Sequence, residues 1–310
     1  HRPGPLRGAT GAGPGTRMNG PETWATRAVT VWVDGHRTGP ATPAVPATDL
    51  GLRQGFGVFE TMRLRAGRVA GLEAHLARLA AGGRRLGIEV PAATVRAGLA
   101  DVAAAAPADD TVLRVTVTAG DARPGWPPSA AGAPRTVVTL HPAPPWCGPA
   151  EAAALVPGPR APAGLGDVKT TSYAGSVLAT RSARAAGADV ALIELDGSVL
   201  EAADGNLVVL RDGVLVTPPT DGRIVPGVTR GRLLALAPAL DLAVSETAPS
   251  LDEVRTADLV LVTSAVRGLR PIDGIDGVPV GTAAGTVALA ALREGLERSE
   301  HDAPRIADVT

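Results

Sequence analysis

Lys169 is the residue with the clearest capacity for covalent chemistry, because it is the one lysine among 30 Lys and Arg residues. Elsewhere the chain uses arginine, whose guanidinium stays protonated and cannot act as a nucleophile. A partly desolvated amine that loses its proton can attack a carbonyl carbon and form a Schiff base. We therefore predict a covalent role for Lys169, although the composition is also compatible with a residual surface lysine.

Glu201 is a second candidate and lies in the segment 200–207, which reads LEAADGNL. It follows a predicted strand and turn, and the small residues beside it leave room for a planar ring. A carboxylate next to a heteroaromatic nitrogen keeps that nitrogen protonated and makes the ring an electron sink. Taken alone, the pattern also fits a solvated glutamate in a turn, so this interpretation depends on the other candidates.

Two further segments are candidate anion sites. Gly227, Val228 and Thr229 open a predicted helix, where free N–H groups and the helix dipole attract negative charge. Arg78 lies three positions after His75 on a predicted amphipathic helix, and its guanidinium can bind a phosphate bidentately. An ordinary capped helix and a solvent-facing basic stripe are the alternatives.

Hydrophobic periodicity and turn residues predict the elements that would position these side chains. Helices are expected at about 72–86, 93–105, 173–186, 229–236 and 283–298. Strands are expected at 29–33, 58–64, 111–118, 135–141, 190–195, 207–211, 214–217 and 258–263. This mixture predicts an α+β fold, with Lys169, Glu201 and Thr229 next to the ends of predicted elements and Arg78 inside a helix.

Changes in composition predict the division of the chain into domains. The predicted parts are a disordered tail (1–27), a smaller N-terminal α+β domain (28–145), a Pro/Gly-rich interdomain segment (146–166), a larger C-terminal domain (167–299) and a tail (300–310). The chain starts at His1, and Met18 is a candidate natural start.

The bulk composition excludes several classes of function. The 310 residues carry a formal net charge of −1, which gives no basis for binding nucleic acid or an acidic membrane surface. No apolar stretch approaches the roughly 20 residues that span a bilayer. A single cysteine, Cys147, fits a reducing cytoplasm. The 5 histidines are scattered, so no metal site is expected.

Six ordered motifs resemble the class IV aminotransferase family, the fold-type IV enzymes that use pyridoxal 5'-phosphate (PLP). The resemblance runs from about Trp32 to Gly277. The motifs are the segments 55–61 (GFGVFET), 75–79 (HLARL), 169–173 (KTTSY), 201–207 (EAADGNL), 217–230 (TPPTDGRIVPGVTR) and 263–277 (TSAVRGLRPIDGIDG). The resemblance implies two α+β domains with the cofactor between them, and a homodimer.

The resemblance also implies a role for each candidate residue. Lys169 would bind PLP covalently and then shuttle the proton, while Glu201 would pair with the pyridine nitrogen. Tyr173 would lie near the phenolic oxygen. The phosphate would be held by Arg78, Val228, Thr229 and Ser264. The implied partner is a small-molecule amino substrate.

Within this family the sequence favours an aminodeoxychorismate lyase, which releases 4-aminobenzoate and pyruvate and serves folate biosynthesis. The segments 169–174 (KTTSYA) and 262–269 (VTSAVRGL) are similar to those of lyase homologues. D-amino acid aminotransferases place an Arg-Gly pair where this chain has Ala119 and Gly120. Arg267, or alternatively Arg123, would then bind the substrate carboxylate, and Thr61 is a further predicted substrate contact.

Two alternatives stay open. An aminotransferase of the branched-chain or D-amino acid type has the same cofactor and the same first steps. The small supply of aromatic residues, 1 Tyr and 2 Phe, counts against the aromatic side-chain pocket of branched-chain enzymes. The second alternative is a non-catalytic PLP-binding protein. The presence of both Lys169 and Glu201 argues against it, because a carrier needs no electron sink.

Overall fold

The computed structural model describes residues 30–107, 110–123, 125–127, 129–130, 132–162 and 164–308. The strands are β1 (Thr30–Val33), β2 (His36–Thr38), β3 (Gly57–Leu64), β4 (Thr111–Thr118), β5 (Ala122–Arg123), β6 (Ser129–Ala130), β7 (Arg135–Pro142), β8 (Glu151–Pro157), β9 (Val190–Leu195), β10 (Ser198–Ala202), β11 (Gly205–Arg211), β12 (Val214–Val216), β13 (Ala243–Ser245), β14 (Leu259–Ser264), β15 (Gly268–Ile275) and β16 (Val278–Pro279). The helices are α1 (Leu50–Gln54), α2 (Leu72–Leu86), α3 (Ala92–Ala104), α4 (Ala174–Ala185), α5 (Val228–Leu236), α6 (Leu251–Arg255) and α7 (Ala283–His301). The predicted tail 1–27 and Met18 lie outside the described residues.

The first sheet is antiparallel, with strand order β2-β1-β7-β4-β3. Buried and partly buried residues alternate along β7, which places Val138 and Leu140 in the core. The predicted helix 72–86 is confirmed as α2, and its Leu72 and Leu79 pack in this core. The order leaves β3 at one edge of the sheet.

The second sheet has the strand order β10-β9-β8-β15-β14-β11-β12-β13, and β16 pairs with β15. Its strand β11 is apolar at successive positions, and alternate residues enter different cores. Leu207 packs in one core, whereas Val208 packs in another together with Leu233 of α5 and Leu292 of α7. The run of apolar residues therefore reflects a strand that is buried on both faces.

The segment 146–166 differs from the interdomain connection that its prolines predicted. Residues Glu151–Pro157 form β8, which pairs in parallel with β9 on one side and β15 on the other. Pro149 precedes the strand and Pro157 is its last residue, so no proline removes a hydrogen bond from the middle of the strand. Sequence reasoning missed β8 because the first half of its EAAALVP sequence is a glutamate and three alanines, which are weak strand formers.

The segment 300–310 was expected to be a tail, and its described residues are packed instead. Helix α7 continues to His301, and Ile306 is buried in the core of the first sheet. The Ile306 N–H donates to the carbonyl of Gly67, and the Arg68 guanidinium donates to the carbonyl of Ala303. Burial of Ala303 and Ile306 stabilises this arrangement. The sequence did not predict it, because these two residues are flanked by polar ones.

The segment that carries Lys169 runs along the free edge of β3. The Phe59 N–H donates to the Lys169 carbonyl at 3.0 Å, and the Thr171 N–H donates to the Gly57 carbonyl at 2.8 Å. These backbone bonds attach the connection between β8 and α4 to the first sheet, at the point where the candidate residues meet. Among the described helices none is long and apolar enough to cross a membrane. No His, Cys, Asp or Glu group in the described ranges is arranged to hold a metal ion.

Candidate active site

A cavity of about 950 Å³, including its open mouth, is lined by residues from both sheets. The structure brings all of the predicted cofactor and substrate residues to its wall. They are Thr61, Arg78, Lys169, Tyr173, Glu201, Val228, Thr229, Ser264 and Arg267. Arg123, the alternative carboxylate-binding residue, is exposed on β5 and does not line this cavity.

The Lys169 side chain lies among aromatic rings. Its Nζ is 4.5 Å from the centroid of the Phe59 ring and 5.4 Å from that of Tyr173. The two rings meet edge to face with centroids 5.2 Å apart. Since β3 fixes the Lys169 backbone and these rings flank the amine, the nucleophile has a defined position in a partly apolar environment.

Glu201 forms a buried ion pair with Arg160, a residue that sequence reasoning missed. The Arg160 Nε donates to Glu201 Oε1 at 2.6 Å, and the Val225 N–H donates to Oε2 at 3.3 Å. Burial raises the pKa of Glu201, while the adjacent Arg160 guanidinium acts in the opposite direction. The sequence did not indicate a role for Arg160, because it lies in a Pro/Gly-rich segment without periodicity. Its role becomes apparent only from its ion pair with Glu201 in the folded protein.

Arg78 is held by a second buried carboxylate, that of Glu60 on β3. The Arg78 Nε and a terminal nitrogen each donate to Glu60 at 2.7 Å, and His75 Nδ1 lies 2.7 Å from the same carboxylate. Burial acts to raise the pKa of Glu60, but hydrogen bonds from Arg78 and His75 outweigh it and lower this pKa to about 2. The other terminal nitrogen of Arg78 donates to the Pro226 carbonyl at 2.7 Å, which links α2 to the loop before α5.

The start of α5 provides hydrogen-bond donors without protein partners. No side chain caps this helix within the described structure, and its N-cap is Gly227. The hydroxyls of Thr229 and Thr263 are buried, and neither has a hydrogen-bond partner in the described part of the chain. A Cβ atom at Gly227 would lie 1.8 Å from Asn206 Oδ1, so only glycine fits there. Buried donors of this kind indicate a polar ligand.

Two arginines of the cavity differ in their surroundings. The Arg267 guanidinium is already paired with Glu151. The Arg114 guanidinium lies 3.7 Å from the centroid of the Phe59 ring and has no hydrogen-bond acceptor or ion-pair partner among the described residues. Burial lowers the pKa of Arg114, yet a guanidinium stays charged at neutral pH. Arg114 is paired with Thr61 across β3 and β4. No local signal in the sequence marks Arg114, because it resembles any other arginine of an amphipathic strand.

The fold and the cavity together define a class: an α+β enzyme in which a lysine amine, a buried carboxylate and a helix N-terminus line one ligand cavity. The sequence model of the protein family "Amino-transferase class IV" matches residues 57–275 of this chain. The chain therefore belongs to the class IV aminotransferase family and is a PLP-dependent enzyme of fold-type IV. The predicted family, fold class and cofactor are confirmed.

Individual relatives agree with this assignment. Over 255 residues the chain is 31% identical to a "Putative branched-chain-amino-acid aminotransferase" of Methanocaldococcus jannaschii, covering 80% of this chain and 88% of the relative. A fold IV transaminase of Curtobacterium pusillum is 28% identical, with a TM-score of 0.76 over 86% of this chain and 92% of its own. A hypothetical aminotransferase of Mycobacterium tuberculosis, in its alpha-ketoglutarate and PMP bound form, is 25% identical, with a TM-score of 0.76 over 87% and 98%.

Proposed function

We propose that this protein is an aminotransferase that moves an amino group between an amino acid and a keto acid. One observation carries the proposal: the Lys169 amine and the unpaired Arg114 guanidinium both contact the Phe59 ring. An amino acid presents an amine and a carboxylate a few bonds apart. Neighbouring lysine and arginine side chains suit that pair of groups, since arginine binds carboxylates through charge-assisted hydrogen bonds.

The residues of the cavity fit PLP. The partnerless Thr229 hydroxyl, the uncapped N-terminus of α5 and Arg78 would hold its phosphate, with Ser264 nearby. Glu201 would face the ring nitrogen, and Tyr173 would line the side of the phenolic oxygen. When bound, PLP supplies an electron sink for the α-carbon of the substrate.

The remaining chemistry belongs to the side chains of the protein. In this proposal the Lys169 amine takes the proton from the α-carbon of the amino donor, and in the second half of the exchange it delivers a proton to the α-carbon of the keto acid that accepts the amino group. The Arg160 guanidinium, 2.6 Å from Glu201, favours the ionised form of that carboxylate. Phe59 and Tyr173 exclude water from the side of the amine and fix its direction.

Arg114 replaces Arg267 as our preferred contact for the substrate carboxylate. The carboxylate of Glu151 already neutralises Arg267, whereas Arg114 offers its guanidinium edge without first breaking an ion pair. The alpha-ketoglutarate bound form of the Mycobacterium tuberculosis relative supports a keto acid with two carboxylates as the acceptor. Thr61, opposite Arg114 in the sheet, stays a predicted substrate contact.

The lyase reading shares the first steps of this chemistry and differs in the fate of the substrate. The names of the relatives favour amino transfer over lyase activity. Because a lyase substrate also carries an amine and carboxylates, Arg114 and Lys169 suit both reactions. The two are therefore separated by products and not by the binding residues.

We also propose a homodimer in which apolar side chains near the cavity meet a second copy. The exposed apolar side chains are Leu52 on α1, Phe56 just after that helix, and Val177 and Leu178 on α4. The two stretches are adjacent, since the Ser172 hydroxyl donates to the Gly55 carbonyl at 3.0 Å. Exposed apolar clusters of this kind mark association surfaces. Light scattering should give a dimer for the native protein and a monomer for Leu178→Glu; a native monomer would reject this proposal.

The test of the proposed activity uses PLP-loaded protein. One set of reactions offers L- and D-amino acids with alpha-ketoglutarate and measures glutamate, and a parallel reaction offers aminodeoxychorismate and measures 4-aminobenzoate and pyruvate. We expect amino transfer that is absent in Lys169→Ala. Release of 4-aminobenzoate without amino transfer would replace the aminotransferase by the lyase, and activity equal in Lys169→Ala would contradict both.

A further inference from the structure

The turn between β14 and β15 forms one wall of the cavity. Ser264, Ala265, Val266 and Arg267 all line it. Ser264 and Gly268 pair across the turn, and Gly268 adopts a φ of 65°, the left-handed conformation that closes a short hairpin connection. The turn belongs to the second sheet, yet it faces side chains of the first sheet across the cavity. The space for a substrate therefore depends on the distance between this turn and those side chains.

The turn is held from outside the cavity by Arg63 of β3. A terminal nitrogen of Arg63 donates to the Val266 carbonyl at 2.8 Å and to the Pro144 carbonyl at 2.9 Å. The Arg63 side chain is only 6% exposed, and it is not part of the cavity wall. Hydrogen bonds from a buried guanidinium to carbonyl oxygens are stronger than those between neutral groups.

The other edge of the Arg63 guanidinium is fixed as well. Its Nε and second terminal nitrogen donate to Asp110 Oδ2 at 2.9 and 2.7 Å. The Trp146 ring lies against it, with its centroid 5.4 Å from the Arg63 Cζ. Because a guanidinium is a rigid fork, anchoring one edge on Asp110 determines where the other edge meets the Val266 carbonyl.

The geometry of β3 connects the bond from Arg63 to the Val266 carbonyl with the part of the cavity beside Thr61 and Arg114, which we call the substrate end. Phe59, Thr61 and Arg63 project from the same face of β3, because side chains alternate along a strand. The first two line the cavity, and Thr61 is paired with Arg114. We infer that Arg63 is a positioning residue: it fixes the turn at Val266 relative to Thr61 and Arg114, and so sets the width of the substrate end.

This inference rests on the proposed aminotransferase function, and Arg65 provides its matched control. Arg65 donates to the same Asp110 oxygen at 2.9 Å and lies 5.2 Å from the same Trp146 centroid, but it makes no hydrogen bond to the turn in the described structure. Arg65→Gln therefore removes a comparable charge and stacking contact while leaving the Val266 carbonyl bound to Arg63.

The experiment compares PLP-loaded wild-type protein, Arg63→Gln and Arg65→Gln. We expect the KM for alpha-ketoglutarate to rise about tenfold or more in Arg63→Gln, because small displacements of positioning groups weaken productive binding strongly. PLP affinity and kcat should change much less, since Lys169, Glu201 and Thr229 all lie outside the turn. Hydrogen–deuterium exchange at residues 264–268 should become faster in this variant. Arg65→Gln should change neither KM nor exchange.

Equal KM values and equal exchange rates in the two variants would overturn the inference. If Arg63→Gln does not fold, Arg63→Lys serves with the same two measurements, because an ammonium keeps the charge beside Asp110 but cannot bind both edges. If wild-type protein fails to use alpha-ketoglutarate, the proposed function fails on its own. The exchange comparison then still decides whether Arg63 holds the turn.

Discussion

The two ends of the cavity differ in whether their charged side chains form ion pairs within the protein. At the proposed cofactor end, Glu201 is paired with Arg160, and Arg78 is paired with Glu60. At the proposed substrate end, the one contact of the Arg114 guanidinium among the described residues is the face of the Phe59 ring. Paired charges keep their geometry whether or not a ligand is present, which suits a cofactor that stays bound. An unpaired cation is neutralised only when an anion arrives, which suits a ligand that enters and leaves at every turnover.

The strongest way to break this contrast is Glu201→Gln. The amide keeps the shape of the side chain but removes the charge that Arg160 and a protonated ring nitrogen require. We expect kcat to fall by about 10²- to 10³-fold, the usual cost of losing one preorganised electrostatic group. The measurement is steady-state amino transfer, with Glu201→Asp as the charge-conserving control. Equal kcat in Glu201→Gln and wild type would show that this carboxylate does not serve the cofactor.

Glu60→Gln tests the second buried pair through the pH dependence of stability. The pKa of Glu60 is about 2 in the folded protein against an ordinary value of 4.5, so its contribution is complete above pH 4.5 and is lost as pH falls toward 2. The shift corresponds to about 3 kcal/mol in the free energy of unfolding. Denaturant unfolding between pH 7 and pH 3 should show a shallower loss in Glu60→Gln. Parallel curves for the two proteins would contradict this account.

Arg114→Gln tests the substrate end directly. Losing a charge-assisted contact to a carboxylate costs roughly 1.5–3 kcal/mol, so the KM for alpha-ketoglutarate should rise about 10- to 100-fold. The visible absorbance of the PLP-loaded protein should persist, because Arg114 takes no part in holding the cofactor. A loss of cofactor with an unchanged KM would show that Arg114 binds the cofactor and not the substrate carboxylate.

Arg267→Ala should have the smallest effect and sharpens the comparison between the two arginines. Since Glu151 already neutralises the Arg267 guanidinium, we expect the KM for alpha-ketoglutarate to rise by about threefold or less, the size of a partly screened charge contact. The two variants are measured side by side. A larger KM effect for Arg267→Ala than for Arg114→Gln would restore Arg267 as the carboxylate contact.

The sequence made Lys169 and Glu201 predictable because each stands out locally. Lys169 is the sole lysine, and Glu201 lies in a motif of small residues that resembles a known family. Helix α2 was predicted to the residue, since Leu72, Leu76 and Leu79 follow a helical period and Gly87 ends the helix. The lyase reaction rested on short segments near the cavity, and the relatives support amino transfer instead.

The features that sequence reasoning missed are pairings between distant residues. Arg160 and Arg114 look like any other arginine in the sequence. The fold places Arg160 beside Glu201 and leaves Arg114 without an ion-pair partner in the part of the chain that the structure describes. Likewise, β8 is a strand because β9 and β15 flank it, and not because its alanines favour that conformation. Tertiary context decides these features, and one sequence carries no local signal for them.

The burial of Ile306 in the first core has a consequence for biosynthesis. Domains usually fold in the order in which they leave the ribosome. Here the core that β1, β3 and β4 begin to build contains a side chain from the other end of the chain. Its assembly cannot be complete until residue 306 has emerged, so strands β1, β3 and β4 have to wait for a segment that is synthesised after every strand of the second sheet.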